Sequence, residues 1–247
     1  MCLIVFAWQV VPAVPLIAAA NRDEYYARAA APAAPWPDQP RIFAGRDLKA
    51  GGSWMGISQA EAGIDSPRFA AITNIRAPHE HKADAPSRGQ LVSDFLASSM
   101  SPAEYIGHIR DGAHAYNGFN LVIGDRNTLI WYSNKGGDDP RNGQPLAPGI
   151  YGLSNATLDS PWPKVLKTKA QFASLLCLGA PDDAYFEMLA DTTRAPDQRL
   201  PETGVPLEME RLLSAVRIES PGYGTRSSTV VKLYADAPAV LHEMLIQ

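Results

Sequence analysis

The sequence predicts an α+β fold, with two mainly antiparallel sheets lying face to face and a layer of helices outside each. Three observations carry that expectation. Strand-like segments come in hairpin groups, helix-like segments come in blocks between those groups, and the strict strand–helix alternation of a parallel doubly wound sheet is absent. With 247 residues, 46% hydrophobic and 19% charged, the chain has a globular composition and enough length for a substantial core. No internal repeat or long linker divides it, so residues 1–247 are expected to form a single domain.

The elements follow in order. Between Cys2 and Ala20 only Gln9 is polar, and Ala18-Ala19-Ala20 imitates the small-residue cleavage site of a secretory leader. No lysine or arginine precedes this run, and Pro12 and Pro15 interrupt any helix through it. Two strands, 2–8 and 16–20, joined through a turn at 12–15, fit better. With no apolar leader ahead of Cys2, a lipid-modified cysteine is not expected. The Ala/Pro-rich stretch 27–40 reads as an ordered surface loop, followed by strands at 41–44, 53–58 and 69–74. Helical spacing takes over at 87–99, with Ser87 as N-cap and Leu91, Val92, Phe95 and Leu96 on one apolar face. A second helix starts after Ser101-Pro102.

Strands return at 119–123 and 128–133, joined by the turn residues Gly124-Asp125-Arg126-Asn127, and again at 149–154. A helix from Pro161 carries Trp162, Val165, Leu166, Phe172 and Leu176 on its apolar face, and shorter helices are expected at 182–190 and 207–213. The last clear strand, 225–234, is rich in β-branched residues.

Composition excludes several functions. A net charge of −4, a pI of about 5.7 and the lack of a basic block argue against nucleic-acid binding. Two cysteines, Cys2 and Cys177, make neither a disulfide framework nor a cysteine-rich zinc site and suit a reducing, cytoplasmic compartment. Cys177 lies on the apolar side of its helix and is expected to be buried and inert. Ala50-Gly51-Gly52-Ser53 and Lys135-Gly136-Gly137 match neither a P-loop nor a dinucleotide fingerprint. Gly51-Gly52 is expected to make a turn or to admit a ligand to the backbone. His79-Glu80-His81 is too slight to predict a metal site, and no haem-attachment sequence is present.

Cys2 is the most informative residue. Removal of Met1 would leave it with both a thiol, pKa about 8.5, and an α-amine, pKa about 7.7–8.0, so one residue would supply nucleophile and base. By position alone, a small buried hydrophobe opening a core strand is the reading that leads. The polar run Asn21-Arg22-Asp23-Glu24, which the hairpin brings beside Cys2, favours chemistry. A guanidinium there stabilises a thiolate or holds a carboxylate, and an acid orients the amine. Asn74 and Asn155, at strand ends, are either oxyanion donors or turn formers. Arg226, opening an apolar strand, needs an acidic partner or a ligand.

Several motifs in register carry a resemblance. They include Met1-Cys2, Ala20-Asn21-Arg22-Asp23-Glu24-Tyr25, Ala44-Gly45-Arg46-Asp47-Leu48 and Gly51-Gly52-Ser53-Trp54-Met55-Gly56. Thr73-Asn74-Ile75-Arg76, Ser87-Arg88-Gly89, Tyr116-Asn117-Gly118-Phe119-Asn120-Leu121, Tyr151-Gly152-Leu153-Ser154-Asn155-Ala156 and Asp159-Ser160-Pro161-Trp162-Pro163-Lys164 continue the series. From residue 2 to about 234 the chain resembles the NRDE family, that of the transport and Golgi organization protein 2 homologues. That family is in turn similar to N-terminal nucleophile hydrolases. The resemblance implies an αββα four-layer sandwich, with Cys2, Arg22, Asp23, Asn74, Asn155 and Arg226 as site residues. Those hydrolases space the arginine and the acid three apart, whereas Asp23 follows Arg22 directly, so either Asp23 or Glu24 is the acid facing Cys2.

The resemblance implies two functions. One is hydrolysis of an amide or thioester in a small amphipathic molecule, which requires no cofactor. The other is non-catalytic binding and trafficking of haem or of acyl-coenzyme A and lipids, in a cavity beneath Cys2 near Trp54, Trp36 or Trp162. No integral membrane segment is expected, and the oligomeric state is left open.

Overall fold

The computed structural model describes residues 2–60 and 66–246. Its twelve strands are β1 (Cys2–Val11), β2 (Val14–Tyr25), β3 (Ala30–Trp36), β4 (Gln39–Asp47), β5 (Met55–Ser58), β6 (Arg68–Asn74), β7 (Phe119–Gly124), β8 (Leu129–Ser133), β9 (Gly149–Leu153), β10 (Glu219–Ser220), β11 (Tyr223–Leu233) and β12 (Val240–Leu245). The helices are α1 (Gly89–Ala97), α2 (Pro102–Arg110), α3 (Pro163–Cys177), α4 (Asp182–Leu189) and α5 (Leu207–Leu213).

Two antiparallel six-stranded sheets result. One runs β10-β11-β2-β1-β9, with β12 also on β11, and the other runs β3 to β8 in chain order. Side-chain alternation explains why Leu3 to Trp8 is apolar without a break: both faces of β1 are covered. Ile4, Phe6 and Trp8 pack between the sheets with Met55, Phe69, Val122 and Trp131. Leu3, Val5 and Ala7 pack outward on Val165, Phe172, Tyr185 and Leu189 of α3 and α4. On the far side, Leu91, Val92, Phe95 and Leu96 of α1 and Tyr105 and Ile106 of α2 cover Ala70, Ile72, Phe119 and Leu121. Three apolar layers thus separate four structural ones, giving αββα. Each large apolar side chain fully buried in them contributes roughly 1.5–3 kcal/mol.

Some expectations need correction. The stretch read as a loop contains the edge strand β3, where Pro32 and Pro35 are tolerated because an edge needs donors on one side only. β12 was not expected, because its outward-facing edge buries little beyond Leu241 and so lacks an apolar signature. β2 runs through Asn21-Arg22-Asp23-Glu24 rather than ending before it. Cys177 is exposed, not buried, since it falls in the last turn of α3 beyond the segment that covers β1. Leu166 is also exposed, and Lys164, Val165, Thr168 and Phe172 form the buried face of that helix. The N-cap of α1 is Arg88, one residue after Ser87. Among the described residues, no helix is long and apolar enough to cross a membrane.

Candidate active site

The β1–β2 register sets Cys2 directly opposite Arg22. Both are in phase with Ile4, Phe6 and Ala20, so their side chains turn toward the space between the sheets. Here that space opens into a cleft of about 390 Å³ whose lining includes Cys2, Arg22, Trp54, Asn74 and Arg88. Its floor closes quickly: a void of about 10 Å³ under Cys2 ends against Ile4, Met55 and Ile72. Burial pushes the Cys2 thiol above its ordinary value, while the Asp23 backbone N–H and the Arg22 charge pull it back. The Arg22 guanidinium stacks on the Trp54 ring, 3.9 Å from its centroid. It is 7% exposed.

Glycines make room for this stack. A Cβ on Gly45 would fall 2.2 Å from the Trp54 ring. A Cβ on Gly52 would fall 2.4 Å from the Gly89 carbonyl carbon, and Ser53 N–H donates to Gly89 O at 3.1 Å. Gly52 therefore admits the backbone of α1 at the place where a ligand was one expectation. Gly51, at φ +82°, makes the turn.

Asn21 and Asp23 face the other way, toward the outer helices. Asn21 Nδ2 donates to Leu189 O and Val216 O at 2.8 and 2.9 Å, tying β2 to the helical layer. Asp23 is 2% exposed and its Oδ1 accepts from Thr225 Oγ1 at 2.7 Å. Burial pushes its carboxyl up, against the charges of Lys164 and Arg76. Lys164, in the first turn of α3, is 3% exposed, and its Nζ has no hydrogen-bond partner. Burial lowers this amine to about 8, with the Asp23 charge opposing that shift. Beyond it, Arg76 Nη1 meets Glu210 Oε2 at 2.5 Å and the guanidinium stacks on Trp162.

Among the expected site residues, the structure brings Cys2, Arg22 and Asn74 to one cleft, and Asp23 to its margin with the carboxylate turned to Thr225 on the outer face. Asn155 stands one layer behind. Its Nδ2 donates to Asn74 O at 2.8 Å, its Oδ1 accepts from Ser154 Oγ, and Ser154 Oγ also donates to Cys2 O at 2.9 Å. Arg226 sits at an irregularity of β11 and donates to the backbone O of Arg28; it is not itself one of the residues lining the cleft. Its neighbour Thr225 is the β11 residue that touches Asp23. Glu24 also lines the cleft, with Oε1 accepting from Tyr25 N, while the Asp23 charge raises the Cys2 thiol. Trp54 is the cleft tryptophan, Trp36 lies under Arg46 and Trp162 beside Arg76. Met1, whose removal the chemistry requires, lies outside the described residues.

Sequence reasoning missed Lys164, Thr225 and Arg88. Lys164 and Arg88 stand inside quoted motifs, yet a lone cation carries no signal until its burial is known.

Layers and cleft together define a four-layer αββα protein with a cysteine at the head of a central strand, beside an arginine on the neighbouring strand. The family model of Transport and Golgi organisation 2 matches residues 1–246, and the chain belongs to that family. It is 35% identical to the Bos taurus Transport and Golgi organization protein 2 homolog over 264 residues, covering 98% of this chain and 92% of that protein. The Homo sapiens homolog is 34% identical over the same shares. The Drosophila melanogaster protein is 30% identical, over 94% of this chain and 87% of its own. Among solved structures, the Caenorhabditis elegans N-acylethanolamine-hydrolyzing acid amidase ortholog aligns over all of both chains at a TM-score of 0.49 and 9% identity. The fold assignment rests on the sheet order and the apolar layers.

Proposed function

We propose that this protein is an N-terminal cysteine hydrolase acting on an amide or thioester of a small amphipathic molecule. One observation carries the reading: the Cys2 thiol opens a buried strand yet faces a cleft beside Arg22. After Met1 removal, the α-amine of Cys2 takes the thiol proton, directly or through a water, as sulfur bonds to the substrate carbonyl carbon. The carbonyl oxygen becomes an oxyanion that the Asn74 side chain stabilises, with Asn155 holding the Asn74 backbone. The C–N or C–S bond then breaks and the leaving group takes the proton back from the α-ammonium. Water attacks the acyl-enzyme, releasing the acid and restoring the thiol. Asp23, held by Thr225, orients the amine. Two unpaired cysteines fit a reducing compartment, and we assign the protein to the cytoplasm on that ground.

The test is intact mass before and after a thiol-directed electrophile, followed by turnover of N-acyl amides and acyl-coenzyme A thioesters. Loss of Met1 and a fall of about 10³-fold or more in Cys2→Ser are expected. Unchanged turnover in Cys2→Ala would sink the nucleophile.

A second reading, binding and trafficking without turnover, is favoured by the raised thiol, which rests protonated unless a base is supplied. Transport is also what the relatives' printed name describes. The two ligands implied by the resemblance fit unequally. The cleft's apolar wall is confined to Trp54, Ile72, Ala83, Ala85 and Pro86, and its floor closes under Cys2. A haem macrocycle needs broader apolar faces, so this lining does not fit it. An acyl-coenzyme A, with a flexible chain and anionic groups, suits the lining better. Tight acyl-coenzyme A binding by a wild type that never turns it over would favour this second reading.

A further inference from the structure

The cleft contains a second cationic feature, one that attack by Cys2 does not require. Helix α1 begins at the cleft with Ser87, Arg88 and Gly89 in the lining. Its nine residues start without a side-chain cap and without an acidic residue in the first turn; Gln90 N–H donates to Ser87 O and Leu91 N–H to Arg88 O, which leaves the Gly89 N–H without an acceptor among the described residues. An uncapped helix start is a site of partial positive charge with outward N–H donors. Arg88 adds a full charge there. One nitrogen, Nη1, donates to Gly118 O at 3.0 Å, which leaves most of its five N–H donors for other use.

The independent observation lies across the cleft. Arg22 is 7% exposed, lines the same cleft, and has no hydrogen-bond or ion-pair acceptor among the described residues; only the Trp54 face supports it. The acids of the lining are already engaged. Asp47 accepts from Arg28 Nε and Nη2 and from the Lys49 and Ala50 N–H groups. Asp23 turns to Thr225 and Glu24 to its own chain. Two arginines therefore face this cleft with no carboxylate among the described residues paired to either, although burial alone disfavours both charges.

We propose that Arg88 and the Gly89 N–H at the start of α1, facing Arg22, form an anion subsite that takes a carboxylate or phosphate group of the ligand. The proposal rests on the reading of this cleft as the ligand site and narrows the substrate class to amphipathic molecules with an anionic end. That end docks at α1, while the reactive carbonyl lies over Cys2.

The test needs no turnover. The ¹⁵N-labelled protein is titrated with inorganic phosphate and, separately, with propionate, following the Gly89 amide and the Arg22 and Arg88 Nε–H resonances. Saturable shifts with either anion, weakened about tenfold in Arg88→Gln, are expected for a charge-assisted fork. A response to phosphate alone assigns a phosphate, and a response to propionate alone a carboxylate. No saturable shift with either, or equal affinity in Arg88→Gln, overturns the subsite. Should Arg88→Gln fail to fold, Arg88→Lys keeps the charge, loses the fork, and is expected to weaken propionate binding.

A second measurement compares alkylation by anionic iodoacetate and neutral iodoacetamide, with the exposed Cys177 as internal reference. The iodoacetate preference at Cys2 is expected to exceed that at Cys177 about tenfold and to fall severalfold with loss of the Arg88 charge, Arg22 supplying the remainder. Equal ratios at the two cysteines count against the proposal. Anion binding without hydrolysis of any substrate sinks the hydrolase reading and leaves the subsite standing.

Discussion

Arg22 lies with its guanidinium carbon 3.9 Å from the Trp54 ring centroid, so a residue of the first sheet is held across the cleft by the β4–β5 connection of the second. Among the described residues, the ring supplies the one strong contact of this nearly buried cation. A cation–π contact of this kind contributes about 0.5–2 kcal/mol, the upper end applying when water is excluded.

Trp54→Leu should therefore cost about 1–2 kcal/mol in denaturant unfolding. It should also raise KM more than it lowers kcat, because Arg22 loses its orientation while Cys2 stays in place. An unchanged KM would show that the stack does not position Arg22 for ligand.

Gly52→Ala is expected to be more damaging than its size suggests. The new Cβ would sit 2.4 Å from the Gly89 carbonyl carbon, and backbone cannot yield as a side-chain tip can. Separating α1 from the β4–β5 connection should cost about 1–3 kcal/mol. The diagnostic readout is hydrogen exchange: Ser53 N–H, which donates to Gly89 O, should lose protection. A variant with wild-type exchange there would rule out the close approach.

Much of this architecture was legible because apolar periodicity records which faces are covered. The first hairpin, the apolar face of α1 and the β-branched β11 each bury both sides or one clean stripe. β3 and β12 escaped because edge strands bury little and β3 carries prolines. For the site, the motif named Arg22 and Asp23, but only strand alternation shows that they point to opposite faces of the sheet. Lys164 was illegible for a related reason. Nothing in Pro163-Lys164-Val165 distinguishes a solvated lysine from one sealed behind Asp23. Arg226 drew attention as a charge in an apolar strand, and the shift in register that turns it away is invisible without the pairing partner.

The Arg76–Glu210 pair, with side chains 5% and 4% exposed, braces the loop after β6 against α5. Removing one partner strands the other charge, so Arg76→Met and Glu210→Gln should each cost about 3–5 kcal/mol. The double variant should be far less damaged than the sum, and thermal unfolding of all four proteins measures that coupling. Additive losses would mean that the pair does not act as a unit, although Thr203 also donates to Glu210 from its backbone at 3.0 Å.

Lys164 yields a pH signature. Its amine falls from an ordinary 10.5 to about 8 because burial penalises the charged form. Between those values the unfolded chain holds a proton that the folded chain has released, so stability rises with pH across that window. Below about 8 both states are protonated and the full penalty applies, on the order of 3 kcal/mol for a shift of this size. Lys164→Met should remove that rise and gain about 1–3 kcal/mol at pH 7, the gain being reduced because Asp23 loses a neighbouring positive charge. The same loss should push the Asp23 carboxyl further up and move the acidic limb of any Cys2-dependent activity to higher pH. Urea unfolding at several pH values from 6 to 10.5 decides the first point and a pH–rate profile the second. If the variant and wild type differ by a constant across that range, Lys164 is charged throughout. Its role would then be to hold Asp23 ionised rather than to exchange protons beside it.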